Sequence, residues 1–212
     1  MVTYPIVPQR TALVVVDMVN DFIEEGAPLE TAAGRAMVPK LAELLEVCRS
    51  AGVSVVFTVQ EHRPDGSDMG RMADFWGPVR KGRALREGSR GAQVFEPLRP
   101  QQGDIVVVKR RYSAFFNTDL DTILRCKGIE TLIFAGVGTN ACVESTVRDA
   151  FCRDYKNIFL SDGTATMDLP DRGWGPISRE DAQRYALTLM SSAFAQVMSV
   201  DEVLRALAGI TA

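Results

Sequence analysis

The fold is decided by the stretch Thr131-Leu-Ile-Phe-Ala-Gly-Val-Gly-Thr-Asn-Ala-Cys142. Its first five residues, 131–135, are apolar or β-branched, which predicts a strand buried on both faces. The glycines at 136 and 138 end the run, and a helix is predicted from about Cys142 to Asp154. A strand, a glycine turn and a helix in succession form the unit from which parallel sheets are built.

The same alternation extends over the rest of the chain. Strands are predicted over 13–16, 53–59, 105–108, 158–160 and 196–200, and helices over 41–48, 119–127 and 179–193. This α/β pattern predicts a mostly parallel, doubly wound central sheet in a three-layer α/β/α arrangement. No repeat or linker divides the 212 residues, so a single domain, 1–212, is expected. The long segment 61–103 is atypical for a connector, and we expect it to cover the substrate.

Composition excludes several classes of function. The net charge of −3 offers no basic surface for nucleic acid or anionic lipid. The apolar run 12–16 is too short to span a membrane, and residues 1–10 do not resemble a signal peptide. Four cysteines without a secretory signal predict free thiols in a reducing compartment, so a cytoplasmic location is expected.

Three residues with chemical potential follow predicted strands. Asp17 follows the first strand, Lys109 the third, and Cys142 lies just beyond the fourth. Ligands of such sheets bind outside the carboxyl ends of the strands. Each residue alone has an ordinary structural explanation, but together they suit catalysis, because a carboxylate can deprotonate a thiol and an ammonium stabilises the thiolate. The predicted helix N-terminus at Cys142 should lower the pKa of its thiol further.

The other cysteines and the histidine are assigned structural positions. Cys48 shares the apolar stripe of its helix and is expected in the core, whereas Cys126 and Cys152 lie late in their helices and are expected to pack. The single histidine, His62, is interpreted as a polar loop residue. With one histidine and no Cys-x-x-Cys pair, we expect no metal site and no cofactor.

A dinucleotide-binding oxidoreductase is the alternative hypothesis. The segment Gly136–Ala141 matches G-x-G-x-x-A between a strand and a helix, and Asp162 lies about 20 residues further on. The segment lies past mid-chain, however, and its helix begins with a cysteine. The glycines have another use, since they let backbone N–H groups turn toward an oxyanion beside a nucleophile. A binding module without catalysis is disfavoured by the cysteine turn among charged strand ends.

Three segments resemble the isochorismatase-like cysteine hydrolases. They are Val14-Val-Val-Asp-Met-Val-Asn-Asp-Phe22, Lys109 after its strand, and Gly136-Val-Gly-Thr-Asn-Ala-Cys-Val-Glu-Ser-Thr-Val-Arg-Asp149. The likeness covers nearly the whole chain. Lys109-Arg-Arg-Tyr-Ser-Ala-Phe-Phe-Asn-Thr-Asp-Leu-Asp121 looks most like the ureidoacrylate amidohydrolases. Glu61-His-Arg-Pro-Asp65 is more similar to members acting on carbamoyl-amino acids, biuret or maleamate.

The resemblance implies a cysteine-dependent amidohydrolase that cleaves the C–N bond of a small linear amide or ureido compound through a thioester. Asp17 would take the thiol proton, Lys109 would hold Asp17, and Cys142 would attack the carbonyl. Backbone N–H groups of Gly138 and Cys142 would form the oxyanion hole, next to a cis peptide bond between Val137 and Gly138. The Asp-x-His metal motif of nicotinamidases is absent, so zinc is not expected. Isochorismatases proper lack the cysteine.

Four aromatic side chains and two amides are candidates for substrate contact: Phe22, Trp76, Tyr112, Phe116, Gln60 and Asn140. For each aromatic residue, ordinary core packing is a competing explanation. The family resemblance also implies a homodimer or homotetramer. The sequence leaves open which small molecule is the substrate.

Overall fold

Six parallel strands form the centre of the protein, in a computed structural model that describes residues 2–211. The strands are β1 (Thr11–Val16), β2 (Ser54–Gln60), β3 (Ile105–Lys109), β4 (Thr131–Val137), β5 (Lys156–Ala165) and β6 (Gln196–Met198). Their order across the sheet is β3-β2-β1-β4-β5-β6, and every neighbouring pair is parallel. The predicted fold class is confirmed. The winding direction reverses between β1 and β4, where sheets of this kind bind ligands.

Helices cover both faces of the sheet. They are α1 (Asn20–Ile23), α2 (Ala32–Ala36), α3 (Val38–Ala51), α4 (Met72–Phe75), α5 (Gly77–Arg80), α6 (Leu120–Cys126), α7 (Glu144–Phe151), α8 (Arg179–Ala193) and α9 (Val200–Thr211). The apolar residues of α3 and α9 pack on one face, and those of α6, α7 and α8 pack on the other. None of the described helices combines the length and apolar composition needed to cross a bilayer.

The two central strands are buried on both faces. Every residue of β1 and β4 is buried, because side chains alternate between the two apolar clusters: Leu13 and Val15 face α3, whereas Val14 and Val16 face α7. This explains why both strands are continuous apolar runs in the sequence. Cys48 is buried in the stripe of α3, as predicted.

Several predicted boundaries differ from the structure. The helix after β4 begins as a π-helical turn, Thr139–Val143, which continues into α7. The helix α9 was not predicted. The prediction that Cys126 and Cys152 are packing residues is wrong, since both are exposed. Each lies two residues beyond the last buried position of its helix, Leu124 or Ala150, and therefore points away from the sheet.

The segment 61–103 is anchored beside the end of β1. Backbone N–H of Asn20 donates to Gln93 O at 3.0 Å, and Asn20 Nδ2 donates to Arg90 O at 2.7 Å. The backbone N–H of Leu85 donates to Asp21 Oδ2 at 2.6 Å. These contacts hold the long excursion, which contains α4 and α5, next to the carboxyl end of the central strands.

Candidate active site

Asp17 is placed by an unusual backbone turn directly after β1. Its φ of 51° lies in the left-handed region, which aspartate tolerates better than most side chains. Its backbone N–H still donates to Thr58 O at 3.1 Å, so the residue stays attached to β2. The side chain is fully buried, and Thr58 Oγ1 donates to its Oδ1 at 3.0 Å. The carboxylate is therefore fixed beneath the end of the sheet.

Lys109 is the last residue of β3 and is also fully buried. Its ammonium nitrogen lies 2.7 Å from Asp17 Oδ2 and donates to Gln60 Oε1 at 2.9 Å and Arg111 O at 3.0 Å. It also lies 3.5 Å from Cys142 Sγ. The structure thus brings together the three residues predicted to be catalytic, with the lysine between the other two.

The turn that carries Cys142 depends on glycine. Gly136 has a φ of 117°, and a Cβ built there would lie 2.0 Å from Val16 O, so no other residue fits against β1. A cis peptide bond joins Val137 and Gly138, as the family resemblance implies. Cys142 lies within the π-helical turn that follows, and Thr146 Oγ1 donates to its carbonyl at 2.7 Å.

The Cys142 thiol is not acidic in this environment. Burial raises its pKa to about 12; Lys109 lowers it and Asp17 raises it, but neither offsets the loss of hydration. The expectation of a lowered pKa is therefore wrong, because a helix end and one ammonium do not compensate for complete burial. Burial also lowers the pKa of Lys109, but Asp17 and Cys142 together raise it more, so the lysine stays charged. The resting cluster holds a neutral thiol beside an ion pair.

Gln60 is part of this cluster. It is the last residue of β2 and is buried, and its Oε1 accepts from Lys109 and lies 3.7 Å from Cys142 Sγ. Its Nε2 faces His62 Nε2 at 3.3 Å. His62 lies outside the helices and strands, as expected of a loop residue, but it is buried too. His62 is buried because the segment containing Leu85 closes over it. Leu85 O accepts a hydrogen bond from the backbone N–H of His62 at 2.7 Å.

Three of the four candidate aromatic residues form one cluster around Trp76. Trp76 Nε1 donates to Tyr112 Oη at 2.6 Å, and the rings of Phe22 and Trp76 meet edge to face with centroids 6.2 Å apart. Phe116, in contrast, is 50% exposed, and no contact between its ring and these three is found in the described residues. Asn140 is partly buried in the turn before Cys142, and its Oδ1 accepts from Thr166 Oγ1 at 2.6 Å.

The dinucleotide interpretation gains no support from the structure. The glycine turn leads into a π-helical segment that carries Cys142, and Asp162 lies within β5 rather than at its end. The Asp162 carboxylate accepts from Lys40 Nζ and from the backbone N–H of Val200, each at 2.7 Å. Its oxygens are therefore engaged by the protein. The strand order alone does not distinguish a hydrolase from a dinucleotide-binding enzyme, since one fold hosts many functions.

Within residues 2–211 no metal site is found, and a cavity lies apart from the cluster. No group of three or more His, Cys, Asp or Glu side chains is arranged to hold a metal ion there. A cavity of about 540 Å³ lies between α2, the end of β5 and α8, and its lining includes Met37, Ala165, Gln183 and Leu187 but not Cys142. The buried cluster and this cavity are therefore two separate sites.

Two groups that contact Asp17 or Lys109 were not among the candidate residues. The first is the hydroxyl of Thr58, which could have been inferred from parallel register, since Thr58 pairs with Val16 immediately before Asp17. The second is the carbonyl of Arg111, which contacts Lys109 Nζ. No sequence pattern indicates the latter, because every residue carries a carbonyl group and only the course of the chain orients it.

Similar proteins are found by sequence and by structure. A sequence model described as the isochorismatase domain matches residues 11–202. The chain is 36% identical to the ureidoacrylate amidohydrolase RutB of Azorhizobium caulinodans, covering 95% of this chain and 92% of the relative. A cysteine hydrolase from Pseudomonas syringae pv. phaseolicola superposes with a TM-score of 0.95 at 41% identity, over 98% of this chain and 97% of that one. An N-carbamoylsarcosine amidase from Thermoplasma acidophilum gives a TM-score of 0.72 at 32% identity, over 91% and 97%.

Proposed function

The chain belongs to the isochorismatase family and is a hydrolase of C–N bonds, and we propose that it is a cysteine-dependent amidohydrolase acting on a small ureido or carbamoyl compound. The observation that carries the proposal is the buried contact of Lys109 Nζ with both Asp17 and Cys142, at 2.7 and 3.5 Å. A thiol and a carboxylate that both contact one ammonium group supply a nucleophile, a base and a fixed charge.

The first step forms a bond between Cys142 Sγ and the substrate carbonyl carbon. Because the thiol is neutral at rest, its proton passes to Asp17 as the bond forms. The carbonyl π electrons move to oxygen, and backbone N–H groups of Gly138 and Cys142 stabilise the oxyanion. Removing one such donor typically costs about 10²–10³ in rate. Lys109 keeps the carboxylate in place and balances the charge that develops.

The second step breaks the C–N bond. The electron pair of that bond leaves with the amine, which takes the proton from Asp17, and an acyl thioester remains on Cys142. Water then adds to the thioester carbonyl, and the sulfur departs and recovers a proton through Asp17. For a ureido substrate the acid released is a carbamic acid, which decomposes to ammonia and carbon dioxide.

A ureido or carbamoyl group is proposed as the substrate because two similar proteins are named for such compounds, ureidoacrylate and N-carbamoylsarcosine. We assign Gln60 to holding Lys109 rather than to binding substrate, since both ends of its amide contact the protein. Phe22, Trp76 and Tyr112 are proposed as the apolar wall of the substrate pocket, and Asn140 as a polar contact near the nucleophile. Phe116 is the weakest of the candidates because half of its surface faces solvent.

The test is a hydrolysis screen with the purified protein. Ureidoacrylate, N-carbamoylsarcosine, other carbamoyl-amino acids, maleamate and biuret are supplied separately, and ammonia release is measured. Wild type should hydrolyse at least one ureido or carbamoyl compound, and Cys142→Ala should hydrolyse none. A trapped acyl adduct, detected on the Cys142 peptide by mass spectrometry after rapid acid quench, would identify the intermediate. Activity of a folded Cys142→Ala protein would refute the proposal.

We also propose that the protein is a cytoplasmic homodimer or homotetramer. Support for assembly comes from large side chains left in solvent, Trp174 at 95% and Tyr185 at 66% exposure. Light scattering coupled to size exclusion measures the oligomeric state, and a monomer at micromolar concentration would contradict the proposal.

A further inference from the structure

His62 occupies a buried position directly behind the proposed catalytic cluster. Its surface is 1% exposed, and its backbone is fixed on both sides, by Leu85 O at 2.7 Å and by the N–H of Glu87 at 2.8 Å. Both ring nitrogens face side chains of the protein: Nε2 faces Gln60 and Nδ1 faces Asp68, each at 3.3 Å. A buried polar ring costs stability unless both nitrogens are hydrogen-bonded.

The orientation of the Gln60 amide follows from Lys109. An ammonium group has three donors and no acceptor, so the amide atom 2.9 Å from Lys109 Nζ must be the oxygen. The amide nitrogen of Gln60 then points the other way, toward His62 Nε2 and 3.7 Å from Met72 Sδ.

The protonation of His62 follows in turn. Gln60 Nε2 can only donate, so His62 Nε2 must accept and carries no hydrogen. A neutral imidazole keeps one proton, which therefore resides on Nδ1 and is donated to Asp68 Oδ1. Asp68 is itself held by Arg110 Nε at 2.7 Å and by the backbone N–H of Arg63. The hydrogen bonds are therefore all donated in the same direction, from Lys109 to Gln60, from Gln60 to His62 and from His62 to Asp68.

We propose that His62 is a positioning residue that, as the Nδ1–H tautomer, holds the Gln60 amide oxygen toward Lys109 and Cys142. The kinetic consequence of this proposal rests on the proposed function, whereas the tautomer does not. A ring protonated on both nitrogens would require Gln60 to turn its oxygen toward the ring. The amide N–H groups would then face the ammonium of Lys109, and that contact would be lost.

The charges around His62 are consistent with a neutral ring. Burial lowers its pKa; Asp68 raises it, and Arg110 and Arg111, which follow β3, lower it. Arg80 and Arg86 line the cleft beside the ring. Together these effects place the pKa of His62 below the ordinary value for histidine, so the ring stays neutral near neutral pH.

The tautomer is measured without any substrate. The sequence has a single histidine, so protein labelled with ¹⁵N-histidine gives one imidazole pattern that needs no assignment by mutation. Near neutral pH we expect a protonated Nδ1 and an unprotonated Nε2. A ring protonated at Nε2, or at both nitrogens, would overturn the proposal whatever the reaction catalysed.

Two matched variants test the effect on the cluster. His62→Gln keeps an acceptor near the position of Nε2, whereas His62→Leu removes it at similar volume. His62→Leu should lower kcat by about 10- to 100-fold, as loss of a hydrogen bond to a charged network does, with KM little changed. His62→Gln should recover most of that loss. Equal losses in two folded variants would overturn the positioning role, because the acceptor facing Gln60 would then make no difference. Activity of Cys142→Ala, in contrast, would refute the proposed function and leave the tautomer result standing.

Discussion

Replacing the charged neighbours of Cys142 should change thiol ionisation and turnover in different directions. In Asp17→Asn the carboxylate that raises the pKa of Cys142 is gone, while Lys109, which lowers it, remains. Alkylation of Cys142 near neutral pH should therefore become faster, although hydrolysis is lost because no group returns a proton to the leaving amine. In Lys109→Met both alkylation and hydrolysis should become slower.

The magnitudes follow from the structure. With a pKa of about 12, roughly one Cys142 thiol in 10⁴ is ionised at about pH 8, so wild type should react slowly. The distance of 3.5 Å between Lys109 Nζ and Cys142 Sγ corresponds to an attraction of about 5 kcal/mol at an effective dielectric constant of about 20. That energy corresponds to a factor of about 10³–10⁴ in the thiolate fraction. The charge of Asp17 acts with opposite sign and more weakly than that of Lys109, so its removal should increase the thiolate fraction by a smaller factor.

The assay is the rate of iodoacetamide labelling against pH, mapped to each cysteine by mass spectrometry. Cys48 is the internal control, because burial raises its pKa to about 12 as well and its neighbouring charge is Arg49. Its rate should be equal in all three proteins if they remain folded. Folding is checked by circular dichroism, since breaking a buried ion pair costs about 3–5 kcal/mol. Slower labelling of Cys142 in folded Asp17→Asn would refute the reasoning, as would labelling of wild-type Cys142 faster than that of exposed Cys126.

Three further outcomes are expected. Cys142→Ser should abolish turnover and leave the far-ultraviolet circular dichroism unchanged; residual activity near that of wild type would contradict the nucleophile assignment. Thr58→Val removes the hydroxyl that donates to Asp17 at 3.0 Å and should lower the free energy of unfolding by about 1.5–3 kcal/mol in urea titration. An unchanged midpoint would mean that the hydroxyl does not stabilise the carboxylate. Trp76→Phe loses the 2.6 Å hydrogen bond to Tyr112 and should raise KM more than it lowers kcat; the reverse would place Trp76 outside the pocket wall.

Most of the sheet could be predicted because buried parallel strands leave a distinctive pattern. Strands β1 and β4 are covered on both faces, so their sequences are continuous apolar runs between polar turns. The boundaries of α8 also agree with the prediction, and its N-terminus is marked by Ser178, whose side chain accepts from the backbone N–H of Asp181.

The start of helix α9 is marked by a capping pattern in the sequence. Ser199 and Glu202 form a reciprocal cap, in which Ser199 Oγ accepts from the N–H of Glu202 and Glu202 Oε2 accepts from the N–H of Ser199. That S-x-x-E pattern is present in the sequence and marks a helix start. A second cap, from Asp162 to the N–H of Val200, joins residues 38 apart and could not be inferred locally.

The three proposed catalytic residues were found because parallel strands bring their carboxyl ends to one edge of the sheet, so proximity follows from strand order. What the three residues do to one another could not be found in this way. The sign of the pKa change at Cys142 depends on complete burial, and burial of a polar cluster is set by the loops that close over it. One such loop contains Leu85, whose carbonyl accepts from the backbone N–H of His62 behind the cluster and which lies far from Cys142 in sequence.

The raised pKa of Cys142 changes what the site must do. A thiol ionised at rest would need Asp17 only to protonate the leaving amine, and Lys109 alone would suffice to hold the thiolate. A neutral thiol needs a base in contact with it at the moment of attack, and that base must stay unprotonated while buried. The contacts of Asp17 with Lys109 at 2.7 Å and with Thr58 at 3.0 Å hold its carboxylate in place for this role. The ion pair therefore serves the base more than the nucleophile, and for that reason Asp17→Asn should abolish hydrolysis while it accelerates alkylation.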